Sequence, residues 1–343
     1  MSDAGRPRPT LEEVAAAAGV SRGTASRVVN GSEHVSQSAK TAVLDAIARL
    51  GYVPNLAARS LVTRRADSIA LVVSEPESRV FSEPFFAGLL RGVSQELAGS
   101  GLQLVLVMAW TTKEHDQIEQ YVRNGHVDGV LLVSVHGDDP LPRRLVEFGA
   151  PVMMAGRPLS ADSPISFVDC DNVGGAQAAT NHLYAQGRRR IAAICGPPDL
   201  AASVDRLTGY RAALRNRRSV PRDLVAAGDF SLASGEHAMA TLLERDPHLD
   251  AVFAASDPMA IGALRALRAA GRRVPDDVAV IGFDNSEAAA HTEPPLTSVH
   301  QPVSLMGREL VRALLEQIAT GRSESTRTVR TVLPTELIIR ESA

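Results

Sequence analysis

Apolar positions along this chain follow two rhythms, and the change between them near residue 68 divides it. Leu11, Val14, Ala15 and Ala18 stand at i, i+3, i+4 and i+7, one face of an amphipathic helix. Thr10 with Glu13 three residues on forms a capping box, which satisfies the orphan amides of a helix start. Gly19 ends that helix by taking a left-handed backbone cheaply. Ser21 caps a second helix, in which Ala25, Val28 and Val29 pack inward while Arg22, Gly23, Ser26 and Arg27 face outward. A third helix starts after Ser36, with Val43, Leu44, Ile47 and Leu50 on its apolar face and Gly51 at its end. Pro54 blocks continuation, and Asn55 caps a short helix, Leu56–Val62. So short a helix is marginal alone in water, so this segment is expected to be frayed in the free protein and to become helical on a partner. Three compact helices with a polar, basic face on the second predict a helix-turn-helix head whose second helix enters a major groove.

From Ser68 apolar runs alternate with helical segments. The strand-like runs are Ile69–Val73, Leu102–Ala109, Gly129–Val133, Val152–Ala155, Ile191–Cys195, Ala251–Ala255 and Val278–Phe283. Between them lie helical patterns at Phe86–Ala98, Gly174–Gln186, Arg206–Arg217, Ser234–Arg245 and Met259–Ala270. This rhythm predicts an α/β core of parallel sheets covered by helices on both faces. Such sheets bind ligands at the carboxyl ends of their strands.

Charge sharpens the division. Residues 1–65 hold nine Arg and Lys against five Asp and Glu, a net +4, and the remainder holds 27 against 34, a net −7. A basic head on an acidic body suits phosphate contact at one end only. Two cysteines, Cys170 and Cys195, lie in apolar surroundings and read as core fillers in a reduced, cytoplasmic protein, and no secretory or transmembrane run is present. The nine histidines form no HxxxH or HExxH pattern, there is no GxxxxGK[ST] or GxGxxG loop, and no nucleophile pairs with a base in a recognisable motif. Neither a metal, a cofactor nor a catalytic constellation is expected, so the chain is not read as an enzyme. A secreted sugar-binding protein would carry a signal peptide where this chain carries the head.

On the outward face of the second helix, Arg22 is the candidate for reading a base edge, since arginine pairs bidentately with guanine. Arg27 reads as a base or phosphate contact. Thr10, Thr24, Ser26, Asn30, His34 and Ser36 are candidates for phosphate contacts, which position a head without reading sequence. In the body, Asp284 follows a fully apolar strand at its carboxyl end, where a charge is expensive unless used, and a carboxylate there can accept sugar hydroxyls. Phe81 and Glu83 stand in the loop after the first strand and are candidates to line the same cleft. Trp110 closes the strand Leu102–Ala109 and reads either as a lid aromatic or as a partly exposed packing residue.

The head resembles the LacI/GalR family of bacterial transcription regulators. Leu-Glu-Glu-Val-Ala, Ala-Gly-Val-Ser, Ser-Arg-Val-Val-Asn, Gly-Tyr-Val-Pro-Asn and Ala-Arg-Ser-Leu fall in the family's order and spacing. The body resembles it too, in Val-Asp-Cys-Asp-Asn (168–172), Asp-Arg-Leu-Thr-Gly-Tyr-Arg-Ala-Ala-Leu (205–214), Ala-Ser-Asp-Pro-Met-Ala-Ile-Gly-Ala-Leu (255–264) and Val-Ile-Gly-Phe-Asp-Asn (280–285). Gly-Thr-Ala-Ser-Arg-Val-Val-Asn-Gly-Ser and Phe-Ser-Glu-Pro-Phe-Phe-Ala-Gly are especially similar to actinobacterial cellobiose-responsive repressors of that family.

The resemblance implies an N-terminal all-α helix-turn-helix head (1–53), a hinge helix and linker (54–67), and a two-lobed, periplasmic-binding-protein-like α/β core (68–343). Lobe one would hold about 68–164 and 298–326, and lobe two about 165–297 and 327–343, with crossings near Pro164, Pro295–Ser298 and Ser325–Arg327. It places Arg22 and Gly23 at the main specificity positions. It makes Leu61 a wedge into the minor groove, where the bland reading is packing against the body, and Ala58 lets two hinge helices pack side by side. It brings Arg206, Asp284 and the stacking aromatic Phe230 into an effector cleft. Ser256 stands where the family usually has Asn. The function implied is a repressor of carbohydrate-use genes that binds double-stranded operator DNA and answers to a cellobiose-type disaccharide, with a nucleobase corepressor as the alternative. The chain closes on Leu-Ile-Ile-Arg-Glu-Ser-Ala without a heptad run, so a homodimer on a two-fold operator is expected.

Overall fold

The computed structural model describes residues 9–29, 34–53, 65–137, 139–160, 162–215, 217, 224–320 and 328–343. Asn30, Asn55, Ala58, Leu61 and the short helix expected at 56–62 lie outside the described residues. The chain forms two compact units, Met1–Asp67 and Ser68–Ala343.

The first unit packs α1 (Leu11–Ala17), α2 (Arg22–Val29) and α3 (Gln37–Leu50) around Val14, Ala15, Ala25, Val28, Val43 and Ala46. The local signals operate as expected. Thr10 and Glu13 form both bonds of the capping box, the Ser21 hydroxyl accepts the Thr24 amide at 3.1 Å, and Gly19 and Gly51 take φ of 66° and 65°. Leu44 departs from expectation and is 50% exposed. The buried face of α3 is Val43, Ala46, Ile47 and Leu50, and at 100° per residue Leu44 falls beside that stripe rather than in it.

The second unit holds two six-stranded sheets. The first contains β1 (Ser68–Val73), β2 (Gln103–Met108), β3 (Gly129–Val133), β4 (Val152–Ala155), β5 (Ser166–Cys170) and β11 (Arg330–Leu333), in the order β11-β5-β4-β3-β1-β2. The second contains β6 (Ile191–Cys195), β7 (Val225–Ala227), β8 (Ala251–Ala254), β9 (Ala279–Asp284), β10 (Thr297–His300) and β12 (Glu336–Ile338), in the order β12-β10-β9-β8-β6-β7. Every described pairing is parallel except β10 with β12. Among the described residues the unit has ten further helices: α4 (Glu77–Ser82), α5 (Pro84–Leu97), α6 (Thr112–Arg123), α7 (Leu141–Phe148), α8 (Asn172–Ala185), α9 (Ala201–Leu214), α10 (Leu232–Arg245), α11 (Asp257–Ala269), α12 (Glu287–Ala290) and α13 (Val303–Thr320). Central strands are buried on both faces. Ile69, Leu71 and Val73 enter one core of lobe one, and Ala70 and Val72 enter the other, as the two-residue period of a covered strand requires. Cys170 and Cys195 fill core positions, and burial pushes their thiols up to about 12 and about 11, so neither is a nucleophile near neutral pH.

Strand pairing corrects the expected crossings. At Pro164 and Pro295–Ser298, two of the expected joints, the short strand that follows or overlaps still pairs within the sheet being left; Ser325–Arg327, the third, lies outside the described residues, and the strand after it pairs likewise. β5 pairs with β4, β10 with β9, and β11 with β5. The chain therefore crosses after Cys170, after His300 and after Leu333. Proline or polar residues end a run locally, whereas lobe membership is set by the strand's neighbour. The first and third crossings lie side by side: the Asp171 amide donates to the Leu333 carbonyl at 2.8 Å, and the Thr335 hydroxyl donates to the Asp171 carbonyl at 3.2 Å.

Candidate effector cleft and DNA-binding head

The strands of both sheets end toward one cleft, where such sheets bind ligands. About 830 Å³ of space free of atoms lies there, some of it open to solvent. Glu83, Arg206, Phe230, Ser256 and Asp284 all line it.

Arg206 lies in the second turn of α9, 5% exposed. Its Nε donates to Asn172 Oδ1 at 2.8 Å, one terminal nitrogen to the Ala255 carbonyl at 2.6 Å, and the other to Gln301 Oε1 at 2.6 Å. The guanidinium stacks on Phe283, 3.7 Å from the ring centroid, and stands 3.6 Å from Asp284 Oδ1. Asp284 ends β9 with φ 111°, Asn285 follows at 53°, and Phe230 and Ser134 take 71° and 58°. Left-handed conformations cost non-glycine residues about 1–3 kcal/mol each and gather at functional sites; four of them surround this cleft or its rim. Gly196 lets the Phe230 ring lie against the loop after β6, because a Cβ there would come within 2.3 Å of the ring. Ser256 caps α11 and donates to the Phe230 carbonyl at 3.4 Å. Burial raises Asp284 above the usual carboxylate range, with Arg206 opposing. It raises Asp257 likewise, against the Ser298 hydroxyl and the Ser286 amide, which donate to its two oxygens at 2.6 Å each.

Lobe one contributes a second charged group. Arg79 binds Glu75 at 2.8 Å and Glu83 at 2.5 Å, and lies 5.3 Å from the centroid of Phe230 in the opposite lobe. Burial raises Glu83, with Arg79 opposing. Side-chain hydrogen bonds also join the lobes. Arg157 grips Asp205 through Nε at 2.7 Å and a terminal nitrogen at 2.6 Å. His136 places Nε2 2.9 Å from Glu75 Oε1 in its own lobe and Nδ1 2.9 Å from Asp199 Oδ2 in the other.

The His136 bridge makes stability depend on pH. Its pKa is raised above 6.5, first by the hydrogen bond to Glu75 and then, against burial, by that to Asp199. Arg79 and the Ser134 hydroxyl bind the same Glu75 oxygen. A raised pKa means that the charged form is the one favoured by the fold: the contribution is full below the ordinary value and is lost as pH rises through the raised one. The difference in melting temperature between the unaltered chain and His136→Gln is expected to narrow from about pH 6 to about pH 9. A constant difference would count against the bridge.

Two expected cleft residues stand outside the lining. Phe81 is 72% exposed and Trp110 60%. A helix, α4, occupies the segment read as a loop; it buries Val80 and turns Phe81 outward. Trp110 follows β2, the edge strand farthest from the crossings, and its amide donates to Glu114 Oε2 at 3.1 Å at the start of α6. Sequence reasoning missed Arg79, Arg157, Asp169, Asn172 and Gln301, all of which line the cleft. Asp169 lacked the signal that marked Asp284, because in its strand only Phe167 and Val168 precede it as apolar residues.

In the head, Arg22, Gly23 and Arg27 are exposed on α2, and Thr10, Ser21, His34 and Ser36 are exposed around it; Thr24 and Ser26 are partly covered. Arg22 Nε lies 2.7 Å from Glu12 Oε1 with both side chains open to solvent, a pair of little net worth that leaves Arg22 available to a base edge.

Comparison with known proteins agrees with both halves. Bacterial regulatory proteins of the lacI family match residues 10–55, and a periplasmic binding protein-like domain matches residues 180–343. The HTH-type transcriptional regulator CelR of Thermobifida fusca is 55% identical over 339 residues, covering 98% of this chain and 99% of that protein. The ribose operon repressor of Escherichia coli K12 is 33% identical over 313 residues, 90% of this chain and 93% of that one. A solved transcriptional regulator CelR–cellobiose complex superposes with TM-score 0.77 at 52% identity, over 98% of this chain and 100% of that chain. The lac repressor dimer bound to operator and the anti-inducer ONPF superposes with TM-score 0.85 at 26% identity, over 98% and 99%. The chain belongs to the LacI family of bacterial regulatory proteins, with a helix-turn-helix head and a periplasmic-binding-protein-like core.

Proposed function

We propose that this chain is a cytoplasmic transcriptional repressor of carbohydrate-use genes that binds a two-fold operator as a homodimer, its operator affinity set by a cellobiose-type disaccharide in the cleft between the lobes. The observation that carries the effector is the pairing of Arg206 and Asp284 beside Phe230 in the lining of this cleft. A guanidinium and a carboxylate together donate and accept with the hydroxyls of one sugar ring, and a flat aromatic meets the ring's apolar face. The CelR–cellobiose complex supports the ligand class, and the operator-bound lac repressor dimer supports the assembly.

Thermal melting against cellobiose, glucose, ribose and hypoxanthine tests the effector. A ligand at a hundred times its Kd adds about 2.7 kcal/mol to the folded state, so cellobiose is expected to raise the melting temperature. A shift with hypoxanthine and none with cellobiose would replace the sugar by a nucleobase.

For the head, Arg22→Ala is expected to cost about 1–3 kcal/mol at the specific site and to relax preference at one symmetric pair of base positions. Arg27→Ala, if Arg27 meets phosphate, is expected to weaken all sequences alike. Selection of bound sites from a random DNA pool reads both effects. An unchanged profile for Arg22→Ala would remove its base-reading role.

A further inference from the structure

The guanidinium of Arg206 is held between two of the three crossings that join the lobes. Asn172, which accepts from Nε, is the first residue of α8, immediately past the first crossing. Gln301, which accepts from a terminal nitrogen, lies between β10 and α13 in the second. Both are almost wholly buried, 2% and 4% exposed. Asn172 is itself fixed: its Nδ2 donates to Asp169 Oδ1 at 3.0 Å and to the Cys170 carbonyl at 3.2 Å, back across the crossing into lobe one. Asp169 in turn accepts the Arg157 amide at 3.2 Å, and the Arg157 side chain grips Asp205, the neighbour of Arg206. A closed circuit of hydrogen bonds thus runs Arg206–Asn172–Asp169–Arg157–Asp205 and returns to Arg206 through the backbone of α9, with Gln301 attached on the far side.

We infer that Asn172 and Gln301 are positioning residues that tie the effector-facing guanidinium of Arg206 to the hinge, so that a shift of that guanidinium toward a ligand is delivered directly to two of the three crossings. The inference rests on the effector reading above. Its physical content is directional. Arg206 presents a rigid planar fork, so a ligand that draws one edge of the plane toward Asp284 must rotate the edges bonded to Asn172 and Gln301. Both acceptors are buried in or beside a crossing, and Asn172 is tied back to Asp169 and Cys170, so a turn of the fork is passed to the backbone there. A packed interior of this kind has discrete arrangements rather than a continuum, and the lobe angle is the variable that the crossings control.

Gln301→Leu, which removes the acceptor, and Gln301→Glu, which keeps it, are compared in the full-length chain by two measurements. The first needs no ligand. Hydrogen exchange read by mass spectrometry is expected to be about tenfold faster in Gln301→Leu over residues 170–176, at the other crossing, as well as around 301–306. Gln301→Glu is expected to exchange like the unaltered chain. Unchanged protection of 170–176 in Gln301→Leu would mean that the crossings are not linked through Arg206 and would overturn the inference. Should Gln301→Leu fail to fold, Asn172→Ala serves in the reverse direction, reporting on 301–306. The second measurement is the ratio of operator affinities with and without saturating cellobiose. It is expected to fall toward one by about fivefold or more in Gln301→Leu and to be retained in Gln301→Glu. A residue that only shapes the pocket would change the cellobiose concentration needed, not the ratio at saturation, so an unchanged ratio also overturns the inference. If the unaltered chain binds no cellobiose, the effector reading fails, while hydrogen exchange still decides the linkage.

Discussion

Arg206→Ala is expected to eliminate the cellobiose-induced rise in melting temperature and to destabilise the core by about 3–5 kcal/mol, the range for removing one partner of a buried, hydrogen-bonded charge pair. The truncation leaves Asn172 Oδ1, Gln301 Oε1 and the Ala255 carbonyl without their donor, and it leaves Asp284 without the cation beside it. Arg206→Lys is expected to lose the response as well, since an ammonium reproduces neither the three-way fork nor the stacking on Phe283. Asp284→Asn, which preserves shape, supplies a folded comparison and is expected to weaken cellobiose binding. Because the head is a separate compact unit, operator binding without effector is expected to survive in all three. Calorimetric titration with cellobiose and a gel shift with operator read the two properties independently. Wild-type cellobiose affinity in Arg206→Lys would be falsifying for the role of the fork.

The second large effect is expected at Gly92. Helices α5 and α13 meet backbone to backbone there. A Cβ on Gly92 would lie 2.0 Å from the Ser304 carbonyl oxygen, and a Cβ on Gly307 would lie 2.5 Å from the Leu89 carbonyl oxygen. Gly92→Val must therefore push these helices apart, although together they bury Leu89, Val93, Met306, Leu310 and Leu314 in one core. Overpacking commonly costs about 1–3 kcal/mol, and a backbone obstacle with no side chain to yield puts this case at about 3 kcal/mol or above. Gly88→Ala is the control, since its Cβ would meet only the Val303 side chain at 3.3 Å, and its effect is expected to be small. Thermal melting compares them. Because α13 begins two residues after Gln301, Gly92→Val is also expected to disturb the effector response. Equal melting temperatures for Gly92→Val and the unaltered chain would contradict the close contact.

Correct and incorrect readings of the sequence separate by the range of the interaction. The capping box of Thr10 and Glu13, the cap at Ser21 and the stop at Gly51 act over three or four residues, and all were legible. So were the seven apolar runs, each of which matches a strand to within one residue at either end, because burial on both faces leaves an uninterrupted signature. The short strands Ser166–Cys170, Thr297–His300 and Arg330–Leu333 were not legible. They carry Ser, Asp, Thr, His and Arg among their apolar residues, and missing them moved each crossing too early. Asp284 was found because a lone charge after an apolar strand is a local anomaly. Phe81 and Trp110 are near strand ends in sequence, but the turn of α4 exposes the first and the outer position of β2 the second, and neither lines the cleft.

The sequence by itself determined that this chain has a basic three-helix head and a parallel α/β core with an apolar strand ending in a charge, because caps, periodicity and burial patterns are properties of neighbouring residues. Only the tertiary structure decided which charges meet. Arg206 reaches Asn172 across 34 residues of chain and Gln301 across 95, and His136 reaches Asp199 across 63. No local preference encodes such pairs. They exist because strands distant in sequence are neighbours in a sheet and end at the same edge, where buried donors and acceptors must find one another or go unsatisfied.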